Sequence, residues 1–266
     1  MQIIVLIKQV PETSNVRMDE ETGTMVRDGV ESIINPLDLY AIEAAVQLKE
    51  QYGGEVTVLS MGPPSADRAL REAMAMGCDR AVLLCGRELA GSDTWSTANA
   101  LFRAIQKIGN YDLILAGERA TDGDTGQVGP EVASFLDVPL AAYISRIDGI
   151  DDGKITVERL IEDGYETLML TLPAVLTVVK ELNYPRLPTL RGKKRARSTE
   201  IPVWGPQSLN LDPGETGLKG SPTRVDKIFI PKVTREGELV TATDEESTGE
   251  AVRKLVRFLK EKHLLQ

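Results

Sequence analysis

A doubly wound α/β fold with a mostly parallel sheet is what this 266-residue sequence predicts. Three observations point to it. Short aliphatic runs recur without polar alternation, as strands covered on both faces do. Amphipathic helical periods separate those runs. A glycine-rich loop, residues 118–130, follows one of them, at the strand end where ligands gather in sheets of this kind.

The elements follow in order. Strands are expected at Ile3–Lys8, Glu55–Met61, Arg80–Leu84, Tyr111–Ala116 and Pro139–Ala142, the last with the thinnest signal. Asn35-Pro36 opens the first helix, with Asn as cap and Pro in the first turn. Its Leu37, Ala41, Ala44, Ala45 and Leu48 share a face. Further helices are expected over Ser65–Met76 and Thr94–Ile108, the latter capped by Asp93. Alternating strands and helices give right-handed crossovers and a Rossmann-like sheet.

Beyond residue 142 the pattern changes. Ile155–Ile161 and Thr167–Leu172 flank an Asp163-Gly164 turn, the mark of a β-hairpin, and Ala174–Val179 forms one more strand. Residues 184–231 contain seven prolines (185, 188, 202, 206, 213, 222 and 231) and a basic run from Arg191 to Arg197. No periodic element is expected there, although Trp204, Leu209, Leu211, Ile228 and Phe229 offer anchors that favour an arm on another chain over a disordered linker. A last helix should start near Thr243, with Glu246 completing a capping box, and should turn Ala251, Val252, Leu255, Val256 and Leu259 to one side. The expected regions are an α/β domain over 1–183, an extended arm over 184–242 and a C-terminal helix over 243–266.

Composition narrows the function. The chain is 42% hydrophobic and 27% charged, with a mean hydropathy of -0.14. A net charge of -9 argues against nucleic-acid binding, and no apolar run suits membrane insertion. Cys78 and Cys85 suit buried thiols in a reducing cytoplasm. The single histidine, His263, sits at the C-terminus, which disfavours Ser-His-Asp chemistry and His-based metal sites.

The loop Glu118-Arg-Ala-Thr-Asp-Gly-Asp-Thr-Gly-Gln-Val-Gly-Pro130 carries the chemistry. Its glycines allow tight turns and close backbone approach, and the amides of the helix behind it suit a phosphate. It lacks the Gly-Lys-Ser/Thr ending of a Walker loop, and it does not follow the first strand as a dinucleotide fingerprint would. Asp122 and Asp124 suit backbone capping or a ribose better than a divalent cation. The residues alone say "nucleotide" and leave its identity open. A non-redox ATP- or AMP-binding module remains an alternative for the α/β half, though it would need neither hairpin nor arm.

Three segments together resemble the β subunit of electron-transfer flavoproteins. They are the N-terminal strand with Val10, Asp28-Gly29-Val30 and Asn35-Pro36; the Asp122–Gln127 loop; and Val157-Glu-Arg-Leu-Ile-Glu-Asp-Gly-Tyr-Glu-Thr-Leu168 through Leu172-Pro-Ala-Val-Leu-Thr177. The resemblance covers essentially the whole chain. It implies a heterodimer in which the arm wraps a larger α subunit, and a β-subunit site holding either a structural AMP or an FAD. The compact Asp-Gly-Asp-Thr-Gly loop and Gly91-Ser-Asp-Thr94 are similar to the electron-bifurcating group of anaerobes. That group takes hydride from NADH on the β-bound FAD. It passes one electron to ferredoxin and the other, through the α-subunit FAD, to an acyl-CoA dehydrogenase-type flavoenzyme.

By positional match the resemblance implies a cofactor site of Leu6, Asn35, Asp38, Met61, Asp93, Thr94, Ala120, Thr121, Asp122, Gly123, Asp124, Thr125, Gly126, Gln127 and Val128, with no catalytic acid or base in this chain. Leu6 and Met61 suit core packing equally well. Asp38 would bond a ribose or simply favour its helix start. Leu190 matches the family's docking leucine for the partner dehydrogenase, with packing on the α subunit as the other reading.

Overall fold

The computed structural model describes residues 1–12, 17–18, 25–26, 32–226 and 238–265. Asp28-Gly29-Val30, Ile228, Phe229 and Pro231 lie outside the described residues. The elements run β1 Gln2–Ile7, β2 Gln9–Pro11, β3 Arg17–Met18, β4 Met25–Val26, β5 Ser32–Ile34, α1 Asp38–Tyr52, β6 Glu55–Met61, α2 Asp67–Met76, β7 Arg80–Leu84 and α3 Thr94–Ile108. Then come β8 Leu113–Gly117, α4 Val128–Leu136, β9 Leu140–Asp151, β10 Lys154–Ile161, β11 Gly164–Thr171, β12 Ala174–Val178, α5 Leu190–Ser198, β13 Val203–Trp204, α6 Gly217–Gly220 and α7 Glu245–Glu261. They form two compact units, Met1–Lys227 and Ile228–Gln266.

The first unit is the expected α/β fold. Its nine-stranded sheet has the order β11-β10-β9-β12-β8-β1-β6-β7-β13. From β9 to β13 along the sheet neighbouring strands are parallel, while β10 runs antiparallel to both β9 and β11. Side chains along β1 alternate between two cores, as the strand period requires. Ile3, Val5 and Ile7 face α1 and α2, together with Leu70, Met74 and Ala196. Ile4 and Leu6 face α3 and α4, together with Leu101, Ile105, Val132, Leu209 and Leu211. Burying a side chain of this size contributes roughly 1.5–3 kcal/mol, so continuous double coverage supplies most of the driving force.

Four expectations need correction. The first helix begins at Asp38, and Asn35 is not its cap; no side chain caps that end. Asn35 is spent on the loop described below. The strand expected at Pro139–Ala142 runs on to Asp151, because its second half pairs with β10 across bulges that disguise the alternation. The last helix is capped one residue later than expected. Asp244 accepts the Ser247 amide at 2.8 Å and Ser247 completes the box, so Thr243 and Glu246 play no such part.

The fourth correction concerns residues 184–226, which contain regular structure after all. Helix α5 forms from the basic run, capped by Thr189. It docks on α2 through an exchange of arginines. Arg195 of α5 donates to the Met74 and Cys78 carbonyls at the end of α2, at 2.8 and 2.7 Å. Arg71 of α2 donates in return to the Ala196 and Thr199 carbonyls at the end of α5. Each arginine binds carbonyls at the C-terminal end of the other helix, where the helical ladder runs out. Further on, Val203 and Trp204 pair with Leu83 and Leu84 along the outer edge of β7. The expected anchors Trp204, Leu209 and Leu211 thus pack on this chain's own domain, with the Lys107 ammonium over the Trp204 ring at 4.5 Å. In the second unit, α7 leaves Val252, Leu255, Val256 and Phe258 exposed.

Candidate nucleotide-binding site

A cleft of about 400 Å³ opens at the carboxyl ends of β1, β6 and β8. That volume lies within the usual range of small-molecule sites, and the position is the one at which parallel sheets bind ligands. Apolar walls come from Leu6, Met61, Leu89, Leu101 and Ala116. Opposite them runs the loop from Gly117 to Gly129.

The loop owes its path to a few backbone choices. Asp124 and Gly126 take left-handed conformations, with φ of 56° and 64°. Asp tolerates this region better than most residues and glycine tolerates it freely. The Gly123 and Asp124 amides fold back onto the Ala120 carbonyl at 3.3 and 2.8 Å. Behind the loop, α4 starts at Val128, and the amides of its first turn have no carbonyl ahead of them within the helix. Gly129 lets α4 press onto the sheet, since a Cβ there would lie 2.5 Å from the Thr177 methyl.

Below the loop sits a buried polar pair. Asn35 donates through Nδ2 to Asp38 Oδ1 and to the Arg119 carbonyl, both at 2.9 Å, and its Oδ1 accepts the Thr121 amide at 3.1 Å. The other Asp38 oxygen accepts the Lys8 amide at 2.7 Å. Burial pushes the Asp38 carboxyl up to about 7, against the opposing pull of Asn35 and the backbone donors. Gly117 makes the approach possible: a Cβ there would fall 2.5 Å from Asp38 Oδ1 and 2.8 Å from the Leu37 carbonyl carbon.

At the rim the charges are paired. Lys8 Nζ meets Asp122 Oδ1 at 2.7 Å, and Arg119 meets Asp124 at 3.0 Å. Both loop carboxylates therefore serve cations of the chain. The far wall is the start of α3. Asp93 caps it, accepting the Ser96 amide at 3.0 Å, and its other oxygen accepts both the amide and the hydroxyl of Thr223. Burial would raise the Asp93 carboxyl, but the Ser96 and Thr223 donors hold it below the ordinary range. Thr94 donates to Glu131 Oε1 at 3.0 Å. Burial, with the Asp93 charge nearby, raises the Glu131 carboxyl.

Leu6, Asp38, Met61, Asp93, Thr94, Ala120 and Gly123 to Val128 thus all border one cleft. Asn35 supports it from beneath, Thr121 is tied to Asn35, and Asp122 faces Lys8. Leu190 lies far along the chain, exposed at the start of α5. Sequence reasoning missed Lys8, Leu89, Thr97 and Leu101, which line the cleft, and Glu131, which holds Thr94. Lys8 had a usable signal, as the first charged residue after β1.

Residues 22–209 match the electron transfer flavoprotein domain. Over the full length of both chains, this one is 47% identical to the electron transfer flavoprotein subunit beta of Thermoanaerobacterium thermosaccharolyticum. The chain belongs to the electron transfer flavoprotein β-subunit family. It is also 45% identical, again over both full lengths, to the caffeyl-CoA reductase-Etf complex subunit CarD of Acetobacterium woodii. The protein FixA of Azotobacter vinelandii is 42% identical, over 97% of this chain and 94% of its own. An electron transfer flavoprotein β subunit pairs with an α subunit, and the family binds FAD or AMP. The cleft's chemistry fits an adenosine group. Asp38 brings a carboxyl group to the cleft, Leu6 and Met61 bring apolar surface, and the start of α4 suits a phosphate. No helix among the described residues is long and apolar enough to cross a membrane.

Proposed function

We propose that the cleft holds an FAD and that the chain is the β subunit of an electron-bifurcating electron transfer flavoprotein. The observation that carries this reading is the reach of the cleft. It runs from the Gly123–Gln127 loop to the start of α3 at Asp93, Thr94 and Thr97, so polar groups line both of its ends. A mononucleotide would need only the loop end. When bound, FAD would supply the redox chemistry: hydride acceptance from NADH, then one electron to ferredoxin and one through the α-subunit FAD to an acyl-CoA dehydrogenase-type flavoenzyme.

This chain's residues bind and orient. Asp38 would accept a hydrogen bond from a ribose hydroxyl, the amides after Gly126 would hold phosphate oxygens, and Leu6 and Met61 would pack on the base. The helix N-terminus of α3 would hold a further polar part of the cofactor. No side chain of this subunit acts as general acid or base. Similarity to a subunit of a caffeyl-CoA reductase-Etf complex supports an acyl-CoA-handling flavoenzyme as partner. Leu190 docks that partner, and the arm over residues 184–242 contacts the α subunit. The chain works in the cytoplasm.

Cofactor counting on the purified αβ complex tests the reading. Two FAD per heterodimer, with NADH oxidation dependent on ferredoxin, are expected. One FAD and one AMP would instead assign the carrier-type role, with a structural nucleotide in the cleft.

A further inference from the structure

Tyr184, Leu187 and Leu190 are 95%, 85% and 86% exposed, three large apolar side chains within seven residues. A segment of that kind would ordinarily collapse onto its own domain or stay mobile. Here it is held outward at three points. Asn183 donates to the Tyr40 carbonyl of α1 at 3.0 Å, and the Thr189 amide donates to the Ala75 carbonyl of α2 at 3.3 Å. Between them Arg186 grips α1. Its backbone amide and Nε reach Glu43 Oε2 at 3.0 and 2.8 Å, and Nη2 reaches Oε1 at 3.0 Å. The same guanidinium bonds both oxygens of Glu50, two turns along the helix, at 2.6 and 2.9 Å.

Glu43 is 3% exposed. Burial alone would raise its carboxyl, yet the bonds from Arg186, with help from Gln47, hold it below the ordinary range. A buried carboxylate tied to one arginine by three bonds fixes a backbone position, because the planar fork admits one arrangement. Pro185 and Pro188 stiffen the residues on either side.

We infer that Arg186 is a positioning residue that sets Tyr184, Leu187 and Leu190 in a pre-formed array for the partner flavoenzyme, by locking their segment onto α1 through Glu43 and Glu50. The inference rests on the docking role proposed for Leu190. Pre-ordering removes the entropy cost that a mobile segment would meet on binding. Lysine cannot replace the fork, since it offers a single point charge.

The test uses the cofactor-loaded αβ complex, with the acyl-CoA dehydrogenase-type flavoenzyme of the source organism titrated as acceptor. Arg186→Gln and Arg186→Lys should each raise the KM for that flavoenzyme about ten-fold or more while kcat and cofactor content stay unchanged. Backbone hydrogen exchange over residues 184–190 should quicken in both. Leu190→Ala should raise KM without changing exchange. Wild-type exchange and KM in Arg186→Gln, beside a raised KM in Leu190→Ala, would overturn the positioning role alone. An unchanged KM in Leu190→Ala would overturn the docking reading, with exchange still reporting on the clamp. Should Arg186→Gln not fold, Glu50→Gln removes only the exposed half of the grip. It should give a smaller change in the same direction, and wild-type exchange and KM in that variant would count against the inference.

Discussion

Asn35 and Asp38 meet at 2.9 Å in a buried pair, and the same Asn35 amide group holds the Arg119 carbonyl at the root of the nucleotide loop. Three residues of sequence thereby join the start of α1 to a loop more than eighty positions away. Replacing Asn35 by Ala leaves the Thr121 amide and the Arg119 carbonyl without this partner. Each loss should cost about 1–3 kcal/mol where the group stays dry. The expected outcome is a lower melting temperature for the αβ complex and loss of nucleotide on gel filtration. Full nucleotide retention would count against Asn35 as the loop's support.

Asp38 makes stability depend on pH in the direction opposite to most carboxylates. Its folded pKa of about 7 lies above the ordinary 3.8. Between about pH 4 and 7 the folded chain keeps a proton that the unfolded chain releases, so stability falls as pH rises and levels off above 7. The effect is on the order of 4 kcal/mol at most. Denaturation of the αβ complex at pH 5 and pH 8 measures it. Asp38→Asn should flatten the dependence, and an unaltered slope would refute the assignment.

At Gly117 the end of β8 comes up against the start of α1 with no room for a side chain. Gly117→Ala drives a methyl into Asp38 and the Leu37 carbonyl carbon, and overpacking of this kind costs about 1–3 kcal/mol. Because the displaced group lines the cleft, nucleotide affinity should drop more than stability does. Calorimetric titration beside thermal unfolding separates the two.

The pair between Lys8 and Asp122 is exposed enough that it contributes less than about 1 kcal/mol to stability. Its role is at the rim. Lys8→Gln should leave the melting temperature nearly unchanged while nucleotide release becomes faster and less sensitive to salt. Stopped-flow exchange at low and high ionic strength would detect this.

Much of this molecule was legible in the sequence, and the exceptions have physical causes. The β6 and β7 boundaries and the Asp93 cap on α3 follow from aliphatic runs and cap chemistry that act locally. Asn35 misled because a cap and a long-range tether look alike in sequence; only the fold brings Thr121 and Arg119 within reach. Helix α5 lacked an apolar stripe, with Ala196 its one buried residue, and its stability comes from arginines exchanged with α2. β9 hid behind bulges. For the site, the 118–130 loop announced itself through glycines and acids, whereas Thr97 and Leu101 are ordinary helical residues until α3 flanks the cleft.

The two-residue strand β13 has a wider consequence. An open parallel sheet ends in strands whose outer amides and carbonyls invite other chains to pair with them. Here the chain returns after more than a hundred residues to lay Val203 and Trp204 along Leu83 and Leu84. The segment that follows α5 therefore shields the outer edge of β7 from self-association, so a chain interrupted before residue 203 would expose that edge and lose solubility.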